Sequence, residues 1–228
     1  MNRVVLVTGG TGGIGAALCR RLAAIGDHPI IGYRGDADAA LTLATEIGGD
    51  AVKLDMADAS SIEAAVVWMK EKKPEVSTLV LAASPPPTLA PFGKITDADL
   101  SAQWEVNVLG VRRLVAGLAK ACFRKRKQGQ VIGVLSAAMG DGRKAASSNM
   151  GAYVIAKYGL QGVLAAAAAD YPWLKASWVS PGFTETPMLN AFDDRFLEMT
   201  RAHAPGGRFA TAEEVAGDIL ACMDSDPT

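Results

Sequence analysis

The 228-residue sequence predicts an α/β domain, a doubly wound parallel β-sheet of about six strands with helices on both faces. Two observations carry this. Six short runs, residues 4–7, 28–33, 51–54, 78–83, 130–135 and 176–179, are mostly too uniformly apolar to have a solvated face, as strands covered on both sides are. Between them lie helical segments near residues 14–25, 38–47, 60–72, 97–120, 152–169 and 212–223, long enough to make right-handed crossovers between parallel strands. Several open with Asp, Ser or Thr, whose side chains cap first-turn N–H groups. Half of the residues are apolar, enough for a substantial core, and residues 1–228 are expected to form a single domain.

Composition excludes several classes of function. The net charge is −1 with both signs interspersed, so nothing suggests a nucleic-acid partner. The one basic cluster, Arg124 to Lys127, precedes Gln128-Gly129 and suits the C-terminus of a helix, where cations meet the dipole. No apolar stretch reaches the length of a membrane span and the chain enters its first strand without a cationic leader, so a cytoplasmic protein is expected. Cys19, Cys122 and Cys222 are odd in number, far apart and set in apolar helical contexts, which suits reduced core cysteines. His28 and His203 are the only histidines, and neither has neighbours suggesting zinc or a Ser/His/Asp triad; no metal is expected.

The first element carries the first chemical signal. Val4 to Val7 break into Thr8-Gly9-Gly10-Thr11-Gly12-Gly13-Ile14-Gly15 and then continue as a helix. Glycines at such a turn admit a pyrophosphate close to backbone N–H groups, and the helix dipole favours its charge. Two glycine registers fit, Gly9-Gly12-Gly15 and Gly9-Gly13-Gly15. A P-loop is excluded, because no lysine follows the glycines. In a dinucleotide fold the end of the second strand meets the adenosine ribose. Here Tyr33-Arg34-Gly35 offers a guanidinium suited to the 2′-phosphate of NADP, with Asp36 and Asp38 close enough to keep NAD possible. Asp55, after the third strand, can accept from an adenine amino group or serve as a turn residue.

Two irregular stretches, residues 84–91 and 187–207, follow the carboxyl ends of strands, where open α/β sheets bind ligands. They are expected to wall a substrate cleft, the second as a lid. Leu89, Phe92, Phe183, Met188, Leu189 and Phe192 suggest an apolar group on the substrate.

The second signal is Tyr153-Val154-Ile155-Ala156-Lys157. Spacing of four on a helix puts phenol and ammonium on one face, and a cation beside a phenol favours the phenolate, which suits acid/base chemistry on a carbonyl/alcohol pair. Further spaced motifs accompany it: Thr8-Gly9 with Gly13-Ile14-Gly15, Asp55, Asn107-Val108-Leu109-Gly110, Ser136, Pro181-Gly182 with Thr186, and Arg208 to Ala216.

Together these motifs resemble the short-chain dehydrogenase/reductases, in their single-domain branch, over nearly the whole chain. The resemblance implies a Rossmann-type fold and hydride transfer between NADP(H) and a ketone or secondary alcohol. It makes Tyr153 the general acid/base and gives Ser136 the substrate oxygen. Lys157 lowers the tyrosine pKa and holds the nicotinamide ribose, and Asn107 orders a proton-relaying water. It also selects the Gly9-Gly13-Gly15 register. Cofactor contacts then fall to Gly9, Thr11, Gly13, Ile14, Gly15, Tyr33, Arg34, Asp55, Ala83, Lys157, Pro181, Gly182 and Thr186.

The chain departs from the family at three places. Leu81-Ala82-Ala83-Ser84 replaces the usual Asn-Asn-Ala-Gly, so the customary side-chain braces are missing. The interval from Ser136 to Tyr153 is lengthened by residues 140–148, where Ser147 or Ser148 offers another polar contact. The sequence ends at Asp224-Ser225-Asp226-Pro227-Thr228, so no seventh strand is expected, and a homodimer through the long central helices is favoured over a tetramer. Two alternatives stand beside the reductase. One is a catalytically silent NADP-binding regulator or scaffold, which has no need of the tyrosine. The other is a sugar-nucleotide epimerase or dehydratase, which needs a larger C-terminal domain.

Overall fold

A computed structural model describes residues 2–225; the end of the tail, residues 226–228, lies outside the described residues. Strands β1 (Val4–Thr8), β2 (His28–Tyr33), β3 (Asp50–Lys53), β4 (Thr78–Leu81), β5 (Gly129–Val134) and β6 (Leu174–Val179) form one parallel sheet in the order β3-β2-β1-β4-β5-β6. Every expected strand is present, with its ends moved by no more than about two residues.

Alternation along each strand feeds two cores. Leu6, Ile30, Leu79, Leu81 and Val131 point to one face, where α3 (Ala59–Lys72), α5 (Val111–Leu118) and α6 (Gly151–Asp170) pack. Val5, Val7, Ile31, Val80 and Ile132 point to the other, against α1 (Gly13–Ala24), α2 (Ala37–Ile47) and α8 (Ala212–Asp224). Because both sides are buried, both sets of positions are apolar and the strands read as continuous runs. The caps also follow the sequence. Asp36 accepts from Ala39 N at 2.8 Å to start α2, and Thr211 and Glu214 form a reciprocal capping box at α8.

Residues 97–120, expected as one helix, form a rod of changing pitch. It runs from α4 (Asp97–Trp104) through a π-helical turn (Glu105–Gly110) into α5 and ends in a second π-helical turn (Ala119–Phe123). Gly110 lets the rod touch the loop after β3, since a Cβ there would stand 2.0 Å from the Met56 carbonyl oxygen. After β6 the chain forms β7 (Thr184–Glu185), a 3-10 turn (Pro187–Ala191), α7 (Asp194–His203) and β8 (Ala210–Thr211), the last pairing in parallel with β7. Phe183 anchors this region. Its ring lies 5.2 Å from Phe192, 5.9 Å from Phe196 and 5.4 Å from Phe209.

Helix α6 is twenty residues long and apolar enough to satisfy the length and composition of a membrane span, contrary to the expectation that no stretch would. Its apolarity comes from its position: Ala156, Leu160 and Leu164 are buried against the sheet.

Candidate active site

The chain runs outward from β1 to β3 and then returns to β4 on the other side of β1, so the carboxyl ends of β1 and β4 diverge into a crevice. A cleft of about 720 Å³ occupies it, a size suited to a small molecule.

One wall is the glycine turn. Gly9 takes φ +64°, and a Cβ on it would meet Ala83 Cα at 3.0 Å, so the ends of β1 and β4 close on each other here. A Cβ on Gly15 would stand 2.2 Å from Gly9 O, and one on Gly13 would stand 2.5 Å from Thr186 Cγ2. Gly12 is less constrained. Its nearest neighbour is Gly9 O at 3.2 Å, and it serves as the N-cap of α1. Of the glycines in the two registers, crowding is tighter at Gly13 than at Gly12; outside them Gly10 is crowded too, a Cβ there meeting Ile31 Cγ2 at 2.9 Å. No side chain caps α1, so its leading N–H groups and the positive end of its dipole face the cleft bordered by Thr11, Gly12, Gly13 and Ile14. This cradle fits a pyrophosphate.

Arg34, Gly35 and Asp36 line the cleft beyond the turn, and so does Asp55. The turn role of Asp55 is observed, its Oδ1 accepting from Ala57 N at 3.0 Å, and the residue also borders the cleft. Tyr33 does not line it. Alternation along β2 turns its ring to the face of Ile31, where it packs beneath α1 and α2.

The opposite wall holds the chemistry. Ser136 directly follows Leu135 at the end of β5, where its Oγ caps a short turn by accepting from Ala138 N at 3.1 Å. Backbone bonds from Leu135 N to Val179 O at 2.9 Å and from Ala137 N to Pro181 O at 2.8 Å draw Pro181 and Gly182 alongside it. The Ser136 and Tyr153 side chains border the same cleft, near enough for the serine hydroxyl to favour the phenolate. One turn along α6, Lys157 is fully buried. Its Nζ donates to Val134 O at 2.8 Å and lies 5.5 Å from the centre of the Tyr153 ring.

Burial governs both titrations. It raises the Tyr153 phenol, with the nearby Ser136 hydroxyl pulling it back only in part. It brings Lys157 from 10.5 down to about 7. The expectation that Lys157 lowers the tyrosine pKa is therefore corrected for the protein alone, because desolvation disfavours the charge on both groups. Near neutrality Tyr153 carries its proton and Lys157 exchanges one.

The departures from the family pattern have local compensations. In place of a side-chain brace after β4, the Thr8 hydroxyl accepts from Ala83 N at 3.0 Å. Residues 140–148 fold back on themselves. Gly140 takes φ +75°, Asp141 Oδ1 accepts from the N–H groups of Arg143 and Lys144, and Ser147 N reaches Ala138 O at 2.8 Å. Those N–H groups hold the Asp141 carboxyl below the usual range. Ser147, unlike Ser148, lines the cleft.

Asn107 is buried in the first π-helical turn, behind the cleft rather than on its wall. Its Nδ2 donates to the Gln103 carbonyl at 3.0 Å and to Gln103 Oε1 at 3.2 Å. Its Oδ1 is the one buried side-chain polar atom without a partner among the described residues. An orphaned acceptor costs about 1–3 kcal/mol, so the position calls for a donor. Thr186 lines the cleft with its hydroxyl donating to Thr184 O at 3.3 Å. Of the expected substrate residues, Phe183, Met188, Leu189 and Phe192 line the cleft, joined by Pro85, Pro86 and Pro87, whereas Leu89 and Phe92 are exposed outside it. Gln103 and the bracing role of Thr8 were not foreseen. The only local hint of the first was its i, i+4 spacing from Asn107.

Comparison with known proteins agrees with this arrangement. The 3-oxoacyl-[acyl-carrier-protein] reductase FabG of Escherichia coli strain K12 is 30% identical over 99% of this chain and 91% of its own. The corresponding reductase MabA of Mycobacterium tuberculosis strain H37Rv is 29% identical over 99% and 87%. Among solved structures, a levodione reductase superposes with a TM-score of 0.82 at 25% identity, covering 96% of this chain and 89% of that one. The family profile for short chain dehydrogenase matches residues 3–195, a span that takes in the glycine turn, the strand-five serine and the Tyr153–Lys157 helix. The chain belongs to the short-chain dehydrogenases, a family of NAD(P)-dependent oxidoreductases.

Proposed function

We propose that this protein transfers a hydride between NADP(H) and a ketone or secondary alcohol, with Tyr153 as general acid/base. The observation that carries the proposal is the Ser136–Tyr153 hydroxyl pair, with buried Lys157 one turn away, in the same cleft as the glycine cradle. The cofactor, when bound, supplies or accepts the hydride.

The chain's own residues would do the rest. The turn from Gly9 to Gly15 would hold the pyrophosphate, Arg34 the 2′-phosphate, Asp55 the adenine edge, and Ala83, Lys157, Pro181, Gly182 and Thr186 the nicotinamide end. In the reductive direction Ser136 Oγ hydrogen-bonds the carbonyl oxygen and Tyr153 Oη gives that oxygen its proton. Burial keeps the phenol protonated for this step. The resulting phenolate draws a charge onto Lys157, whose proton is available at neutral pH. Phe183, Met188, Leu189 and Phe192 favour a substrate with an apolar group, and the names of the relatives put β-ketoacyl thioesters first among candidates.

The same reading takes the protein as a cytoplasmic homodimer. Trp104, Ile155 and Tyr158, partly exposed on α4 and α6, support contact through these helices. The silent regulator or scaffold is tested by the same assay.

NADPH oxidation is followed against β-ketoacyl thioesters, quinones, ketosteroids and keto sugars. Tyr153→Phe should keep its NADPH affinity while kcat falls about 10²–10⁴-fold. A Tyr153→Phe enzyme with wild-type turnover refutes the mechanism. NADPH binding without turnover of any carbonyl favours the regulator.

A further inference from the structure

Gln103 is 2% exposed on α4, one turn before Asn107. Its Nε2 donates to the Pro86 carbonyl at 2.8 Å and approaches the Pro85 carbonyl at 3.4 Å. Proline has no N–H, so these backbone groups only accept. The amide nitrogen of Gln103 must face them, and its Oε1 must face Asn107. That oxygen in turn requires a donor, and Asn107 Nδ2 supplies it at 3.2 Å while also donating to the Gln103 carbonyl. Turning either amide over would set acceptor against acceptor or donor against donor. The sense of the whole chain of bonds is thus imposed by the prolines, and Asn107 is left presenting Oδ1, a buried acceptor with no protein donor.

We propose that Gln103 is a positioning residue with two linked effects, holding the proline loop as a wall of the cleft and aiming the Asn107 carbonyl oxygen into the interior. Pro85, Pro86 and Pro87 line the cleft, and the turn that carries Asn107 packs against α6, the helix of Tyr153 and Lys157. Local rules do not select Gln103 for this task. It is a polar side chain made useful by a loop 17 residues upstream, which has no N–H groups of its own to offer at Pro85 and Pro86. Its catalytic consequence rests on the reductase reading, whereas its hold on the loop does not.

The test compares wild type with Gln103→Met, Asn107→Ala and the double variant. Gln103→Met keeps the length of the side chain and removes the amide. Amide hydrogen exchange at Ala83 and Ala90, whose N–H groups donate to Thr8 Oγ1 and Asn149 O at the two ends of the proline loop, should quicken by about tenfold or more in Gln103→Met. Its kcat should fall about tenfold with NADPH affinity within about twofold of wild type. Because Gln103 reaches kcat through Asn107 and the cleft wall bears on KM, the double variant should have a kcat about equal to that of Asn107→Ala alone. Losses that multiply, or loop exchange that does not change, overturn the proposal. If Gln103→Met does not fold, Gln103→Leu gives the same test, since a shorter apolar side chain also offers the prolines no donor. The exchange measurement needs no turnover, so unchanged exchange refutes the hold on the loop even in an inert protein. A wild type that reduces no carbonyl, combined with faster exchange in the variant, overturns the reductase reading alone.

Discussion

Replacing Lys157 by methionine should abolish turnover and stabilise the fold in the same step. The ammonium is fully buried, and loss of hydration takes its pKa from 10.5 to about 7. Between those values the unfolded chain holds a proton that the native chain releases. The resulting penalty is therefore full below about pH 7 and fades as pH rises toward 10.5. At roughly 1.4 kcal/mol per pKa unit, the fall from 10.5 to about 7 costs about 5 kcal/mol at neutrality. Methionine removes that cost but leaves the Val134 carbonyl without its donor, a loss of about 1–3 kcal/mol. The net gain of about 2–4 kcal/mol corresponds to a rise in Tm of roughly 5–12 °C for a chain of this size. Scanning calorimetry of both proteins without cofactor, from pH 6.5 to 10, reads it. Wild-type stability relative to the variant should climb across this window. A variant that melts at or below wild type at pH 7, or a difference independent of pH, would refute the argument that desolvation of Lys157 is a main cost of building this site.

Two further outcomes follow from the geometry. Arg34→Ala should weaken NADPH binding by about 10–100-fold while NADH binding changes little, because a charge-assisted bond is worth about 1.5–3 kcal/mol; isothermal titration with each cofactor measures it, and equal losses would remove Arg34 from the 2′-phosphate. Gly15→Ala puts a Cβ 2.2 Å from Gly9 O, backbone that cannot yield cheaply. Overpacking of this kind should cost at least about 1–3 kcal/mol and lower the Tm by several degrees, whereas Gly12→Ala, which meets Gly9 O at 3.2 Å and replaces an N-cap glycine, should lower it by less than Gly15→Ala does.

The sheet was legible because strands buried on both faces leave unbroken apolar runs, and residues 28–33 were read to their exact ends. The π-helical turns were not, since over six residues the hydrophobic spacing of a widened helix cannot be told from that of an ordinary one. Two-residue strands such as β7 and β8 carry no periodicity at all. In the site, backbone-driven features were accessible: glycines that crowd neighbouring backbone and a serine that ends a strand. That Tyr33 does not line the cleft was signalled by the two-residue alternation from Ile31, which sets its ring on the face of α1 and α2. The inverted pKa logic of Lys157 and the bonding of Gln103 lie beyond local pattern. Both depend on which distant groups close over a side chain, Val134 in one case and two proline carbonyls in the other.

The contact between Gly13 and Thr186 makes two distant parts of the chain a single mechanical unit. An added methyl group would not fit between them, so the root of the segment leading to α7 rests on the first turn of α1. Whatever seats itself on that turn therefore also lies against the root of this segment. On the proposed function, any coupling carried by this contact must be reciprocal: a ligand on the glycine turn and one under residues 187–207 would change each other's affinity by the same factor.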